Sequence, residues 1–244
     1  MYTPGSHSTV VADNALAAPG VQLLRLAAPP SWSFRPGQVA ELATSPGTDS
    51  YFAIASAPSE VAASGRLAFL VKAEGSDGEP LMRLAPGAPV TLRGPFGAGF
   101  ELPAPAPAHD LLFVAAGTSL AAIRGAVVEA LHDGASSRIA VVIGLRQATD
   151  LCFAEEVVAW VERGVHVRLA LSHQSADLDH TPLRRLHRGR GRVQAQLADL
   201  AGAATHAFIA GSEALEDDVT RILVASHVDA RNIQRNYRPD GRAG

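Results

Sequence analysis

The feature that most restricts what this chain can fold into is a change of rhythm at Leu102-Pro103-Ala104-Pro105-Ala106-Pro107-Ala108. Upstream lie short runs with β character, punctuated by the turns Pro36-Gly37 and Pro86-Gly87. Downstream, apolar runs alternate with helical stretches, the pattern of a parallel sheet with helical crossovers. Two domains are therefore expected, a β-barrel over residues 1–107 and an α/β domain over 108–244. A chain of 244 residues with 47% hydrophobic content can bury a core in each.

In the first part, strands are expected at His7–Ala12, Val21–Ala27, Gln38–Ala43, Tyr51–Ser56, Arg66–Lys72 and Pro89–Arg93. The clearest is Arg66–Lys72, where Leu67, Phe69 and Val71 alternate and share one face. A short helix fits Glu79–Leu84, because Pro80 is tolerated in a first helical turn. A six-stranded antiparallel barrel accommodates this set.

The second part opens with Asp110-Leu111-Leu112-Phe113-Val114-Ala115-Ala116, apolar on both faces as a buried parallel strand is. Gly117-Thr118-Ser119 then turns into a helix whose inner stripe is Leu120, Ile123, Val127 and Leu131. Strands at Arg138–Gly144, Val165–Leu171, His206–Ala210 and Asn232–Tyr237 follow, with helices at Leu151–Arg163, Val193–Leu200 and Glu213–His227. Five parallel strands result. Ligands of such sheets bind at the carboxyl ends of the strands, here Ala116–Ser119, Gly144–Arg146, Ser172–Gln174, Gly211-Ser212 and Tyr237.

Several classes of function find no footing. The formal charge of -3 gives no general attraction to nucleic acid. No apolar run approaches the roughly 20 residues of a membrane span, and the start Met1-Tyr2-Thr3-Pro4-Gly5-Ser6 lacks a basic, then apolar, secretory pattern, so a cytoplasmic location is expected. Cys152 is the single cysteine, which excludes an intrachain disulfide or a multi-cysteine metal site within this chain. The nine histidines show no metal-type clustering, and paired carboxylates at hydrolytic spacing are not evident. The run Arg184–Arg192 reads as a solvated loop or as a source of phosphate-binding charge.

The order and spacing of several segments carry a family resemblance from Val10 to Tyr237. They are Phe34-Arg35-Pro36-Gly37-Gln38, Ala53-Ile54-Ala55-Ser56-Ala57-Pro58, Gly94-Pro95-Phe96-Gly97-Ala98-Gly99-Phe100, Ala116-Gly117-Thr118-Ser119-Leu120-Ala121, Gly144-Leu145-Arg146, Asp150-Leu151-Cys152-Phe153 and Ala210-Gly211-Ser212. In these the chain resembles the ferredoxin-NADP reductase family, the small oxidoreductases that bind FAD and NAD(P). The resemblance implies FAD in the barrel and NADH or NADPH in the α/β domain. It also implies hydride transfer between them and an iron-sulfur or haem protein, a quinone or a small molecule as electron acceptor. No acid–base catalyst is implied, since such an enzyme positions two rings and excludes water.

The site residues it implies are Tyr51, Phe52, Ala53, Ile54, Ser56, Val71 and Gly78 for the flavin, with Tyr237 as a terminal aromatic over the ring. For the nicotinamide nucleotide they are Gly117, Thr118, Ser119, Gly144, Arg146, Ser172, His173, Gly211 and Ser212. The chain departs from the family where the flavin binds. The family's Arg-x-Tyr-Ser reads Ser50-Tyr51-Phe52-Ala53, without the cation for the pyrophosphate or the hydroxyl beside flavin N5. Losing both costs on the order of 2–4 kcal/mol, or roughly 30- to 1,000-fold in affinity. The Ser or Thr of the barrel helix is replaced by Gly78-Glu79-Pro80, and the Ser-Arg that clamps a 2′-phosphate reads Ser172-His173. Two outcomes stay open at this level: a flavin-dependent NAD(P)H oxidoreductase, or a flavin-poor or flavin-free scaffold of the same fold acting as a nucleotide-responsive or structural subunit.

Overall fold

The computed structural model describes residues 5–30, 32–45, 50–72, 78–104, 108–173 and 182–236. Its first sheet is built from β1 (Gly5–Ala18), β2 (Val21–Ala27), β3 (Val39–Ala43), β4 (Ser50–Ala53), β5 (Arg66–Lys72) and β6 (Pro89–Phe96). All pairs are antiparallel, in the order β4-β3-β6-β1-β2-β5. The edges β4 and β5 curl toward one another. A single bridge, Ile54 to Phe69, the 2.8 Å hydrogen bond from Ala55 N to Ala68 O and the one from Ala68 N to Ser56 Oγ join them, just past the end of β4. The alternation read in β5 is what fills the interior: Leu67, Phe69 and Val71 are fully buried, together with Leu24, Leu26, Ile54 and Leu92.

Two helices close this half. The helix α1 (Pro58–Ser64) was not expected from the sequence, although Pro58 at its first turn and Gly65 at its end, φ 65°, are start and stop signals. Seven residues with one buried side chain, Val61, give no periodicity to read. The helix α2 (Gly78–Met82) is shorter than the expected Glu79–Leu84 and lies against the end of β5, where a Cβ on Gly78 would stand 2.3 Å from the carbonyl oxygen of Lys72.

The second sheet contains β7 (Asp110–Ala116), β8 (Ile139–Leu145), β9 (His166–Leu171), β10 (His187–Arg190), β11 (Thr205–Ala210) and β12 (Ile233–Arg235). All pairs are parallel, in the order β10-β9-β8-β7-β11-β12. Helices α3 (Leu120–His132) and α4 (Ala154–Glu162) cover one face, and α5 (Glu213–Ala225) covers the other. Six strands replace the five expected. The extra one, β10, is drawn from the arginine run, which carries no apolar signal because an edge strand pairs through its backbone on one side and leaves its side chains in solvent. The expected helix at Val193–Leu200 is a single 3-10 turn, Val193–Gln196, and the last strand is confined to Ile233–Arg235. Tyr237 and Gln174 lie outside the described residues. No helix among the described residues is long and apolar enough to cross a membrane.

The two halves share a packed joint. Barrel residues Ala18, Val21, Leu23, Ala55, Ala68 and Leu70 form one cluster with Ala121 and Cys152. At Gly125 in α3 a Cβ would lie 2.6 Å from the Ser56 carbonyl, so helix and barrel touch backbone to backbone.

Candidate functional site

At the carboxyl edge of the parallel sheet the strands stop and the chain turns away, leaving a cavity of about 540 Å³. Its floor is made by Ala116, Gly117 and Thr118 after β7, Gly144–Arg146 at the end of β8, Ala170 and Ser172 around the end of β9, and Ser212 after β11. One wall is Gly191–Gln194, and a second is Ala214, Leu215 and Asp218 of α5. The third wall belongs to the barrel: Ala18, Pro19 and Val21 of the β1–β2 hairpin and Lys72 at the end of β5.

Local sequence explains the shape. Gly117 sits at φ 55°, a conformation costly to side chains with a Cβ, and nothing stands within 4 Å of where its Cβ would be. The turn Gly117–Ser119 leads directly into α3, so its amides belong to a helix start, a setting favourable to an anion. Gly144 answers a different need, since a Cβ there would come within 2.8 Å of Val193. Ser212 caps α5, its hydroxyl accepting from Leu215 N at 3.4 Å, and the Gly211 amide is taken by Glu216 at 3.2 Å.

The cavity mouth is charged in both senses. Arg146 faces Asp150 at 3.6 Å, and Gln194 donates to Asp218 at 3.2 Å. Asp218 is held below the usual carboxylate range, first by the hydrogen bond from Arg221 and then by that from Gln194. The side-chain oxygen of Gln194 is buried with no donor. Arg192, at the rim, adds its charge to the others that hold Asp218 low.

The expected nucleotide residues largely converge here: Gly117, Thr118, Gly144, Arg146, Ser172 and Ser212 all line the cavity. Ser119, His173 and Gly211 adjoin it in sequence without lining it. The expected flavin residues are placed differently, and none of those among the described residues lines this cavity. Ile54 and Val71 are fully buried in the barrel interior, and Phe52 packs against the same interior. Ser56 Oγ accepts from Ala68 N at 2.7 Å and so ties the seam between the edge strands. Tyr51, on the outer surface, meets Phe96 edge to face at 5.4 Å. Ala53 packs at the joint against the nucleotide half beside Phe153. Of the run Arg184–Arg192, read as a solvated loop or a source of phosphate-binding charge, Gly191 and Arg192 reach the cavity. The sequence did not single out Lys72, Pro19, Gln194 or Asp218, because what joins them is tertiary: a strand end, a hairpin, an irregular loop and a helix face meeting across a gap. Cys152 is not among them either. Its thiol is pushed up to about 11 by burial and then by Asp150, which leaves it inert. Among the described residues no group of three or more His, Cys, Asp or Glu side chains is placed to hold a metal ion.

An antiparallel barrel joined to a parallel sheet whose strand ends face it is the architecture of the ferredoxin-reductase-like proteins. Residues 113–221, which supply most of the cavity's lining, match the oxidoreductase NAD-binding domain family. Among solved structures, a cytochrome P450 reductase of Amycolatopsis is similar at 22% identity, over 97% of this chain and 71% of its own, with a TM-score of 0.78. The flavohaem-like FAD/NAD-binding domain of nitric oxide dioxygenase from Vibrio cholerae is 18% identical over 94% of this chain and 97% of its own, TM-score 0.75. A ferredoxin NADP+ reductase from Neisseria gonorrhoeae, solved with FAD and NADP bound, is 14% identical over 95% of this chain and 99% of its own, TM-score 0.73. No curated protein sequence matches the chain. Over 94% or more of its length the chain thus shares the fold of these reductases.

Proposed function

We propose that this protein is an NAD(P)H-dependent flavin oxidoreductase that takes hydride from a nicotinamide nucleotide into FAD and passes electrons to an iron-sulfur protein, a haem protein or a small acceptor. The observation that carries the reading is the cavity, whose floor is a nucleotide-type turn and whose third wall is the barrel. The residues suit a dinucleotide: Gly117 gives clearance, the amides of Thr118 and Ser119 offer donors to a pyrophosphate, and Gln194 holds an acceptor that no protein donor satisfies. Arg146, Arg192 and Lys72 add positive charge around the cavity. The nicotinamide end belongs nearest the barrel, because only there can it meet a second ring.

FAD, when bound, supplies a two-electron acceptor that can deliver electrons onward. The barrel fits FAD less completely than the sheet fits the nucleotide. The open edges of β4 and β5 border a seam, and α2 stands at its end, but Ser50 brings no cation and Ala53 no hydroxyl. This chain's own work is then to align and to keep water out. Ala53 and Phe153 present apolar surface at the joint, and no side chain is required to move a proton.

The same two substitutions favour a second reading, a scaffold that binds nucleotide without flavin. The absorption spectrum of the purified protein separates the two. Flavin bands that co-purify or appear on adding FAD, and bleach anaerobically with NADH or NADPH, support the oxidoreductase and name its donor. A protein that stays colourless after excess FAD is removed overturns it.

A further inference from the structure

A half-buried polar cluster lies in neither proposed ligand site but between the two halves. Arg124, on α3, has a side chain only 10% exposed. Its guanidinium donates twice to Glu60 of α1, at 2.7 Å each, and once to Glu156 of α4, at 2.7 Å. The remaining contact is unusual for an arginine in such a cluster, a 2.9 Å donation to the carbonyl oxygen of Ala55. The group also lies 4.8 Å from the ring centre of Phe153, a residue at φ 55°.

Ala55 is where the barrel closes. Its amide bonds Ala68 across the seam, and two residues before it β4 ends at Ala53. Arg124 therefore grips the barrel at the end of the strand on which a flavin would lie. Along α3 in the other direction, the phosphate-type turn at Gly117–Ser119 is roughly 10 Å away at 1.5 Å of rise per residue. One rigid path thus runs from Ala53 through Ala55, the guanidinium and two turns of helix to the nucleotide turn. Gly125, the next residue, permits the close approach that this path requires.

We propose that Arg124 is a positioning residue: by holding the Ala55 carbonyl it fixes the spacing between the β4 strand and the nucleotide cavity, and with it the approach of the two rings. The proposal rests on the oxidoreductase reading for its kinetic consequence, but the clamp itself does not. A plain structural brace is available for comparison in Glu129, also on α3, which accepts from Ser59 N of α1 at 2.9 Å and, among the described residues, makes no hydrogen bond to Ala53–Ser56.

The test compares Arg124→Lys, which keeps the charge and loses the fork, with Glu129→Gln. A third variant, R124M/E60Q/E156Q, removes the buried charges together and guards against simple misfolding. Anaerobic stopped-flow mixing with NADH or NADPH gives the nucleotide Kd and the limiting rate of flavin bleaching. Hydrogen–deuterium exchange on the protein without added cofactor gives the protection of residues 53–57. For Arg124→Lys and the triple variant the expected result is a Kd within twofold of the native value, a limiting rate at least tenfold lower, and exchange at 53–57 at least tenfold faster. Glu129→Gln is expected to lower the melting temperature and leave both the limiting rate and that exchange unchanged. Native bleaching rates in Arg124→Lys and the triple variant overturn the proposal. If the native protein itself shows no bleaching with either nucleotide, the oxidoreductase reading fails separately, and unaltered exchange at 53–57 in both variants then overturns the clamp as well.

Discussion

The cavity at the strand ends and the barrel seam are the two places to which the proposed ligands are assigned, and they are built by opposite means. The cavity is made chiefly of backbone: strand ends, a glycine at positive φ and a helix start, with open space in front of them. The seam depends on side chains, and those nearest to it are alanines, a serine already engaged with Ala68 and an aromatic packed into the barrel. A site written in backbone geometry survives sequence change as long as the fold does, whereas a site written in side chains is lost one substitution at a time. The contrast therefore predicts tight dependence on few positions in the sheet and repairability in the barrel.

The largest effect is expected at Gly117. Valine there meets both the left-handed backbone, costing about 1–2 kcal/mol, and the space a pyrophosphate needs. Calorimetric titration with NADH and NADPH should show affinity reduced roughly 100-fold or more with the better coenzyme, and native affinity in Gly117→Val breaks the comparison on the nucleotide side. On the barrel side, restoring Ser50→Arg and Ala53→Ser together should raise FAD affinity at least about tenfold, within the span that the missing hydrogen bonds allow. No gain in fluorescence titration would mean that the seam is closed to flavin.

Smaller effects concern the joint. Gly125→Ala drives a methyl group to within 2.6 Å of the Ser56 carbonyl, and overpacking of this kind costs about 1–3 kcal/mol, read as a lower urea midpoint. Glu60 contributes through pH. Burial pushes its carboxyl up, but the hydrogen bond and charge of Arg124 outweigh this and leave it below the usual range. A depressed folded value means that the stabilisation is complete above the unfolded pKa of about 4.3 and is lost as pH falls through the folded value. Glu156 runs the other way, raised by burial more than Arg124 lowers it, so its ionisation weakens the fold at neutral pH. Glu60→Gln should therefore flatten the acid limb of a melting curve measured from pH 3 to 7. The last expectation needs no substitution: with the Cys152 thiol near 11 rather than the usual 9.0, alkylation at pH 8 should be about 100-fold slower than in the urea-unfolded protein.

The sequence made the two-part architecture legible because each half carries its own period. The alternation Leu67, Phe69, Val71 and the doubly apolar run Leu111–Ala115 became buried strands at the expected positions. Features without a period escaped it: α1, too short to show a stripe, and β10, an edge strand of arginine and glycine. The cavity floor was read from strand ends alone, and Gly117, Thr118, Gly144, Arg146, Ser172 and Ser212 meet there. Its barrel wall was not, since nothing local to Pro19 or Lys72 announces a partner more than forty positions away. Nor does a lone Arg124 within an apolar helix reveal which carboxylates it meets.

The β1–β2 hairpin bears on how such a protein could be divided or recombined. Ala18, Pro19 and Val21 wall the nucleotide cavity although they belong to the first sheet. A C-terminal half expressed alone would present its turn and strand ends with one side open to water. A barrel borrowed from a distant relative would bring a hairpin of different length to the same opening. The halves look like interchangeable modules in topology, yet each is cut to the other's shape, and a chimera that ignores Ala18–Val21 inherits a nucleotide site with a missing side.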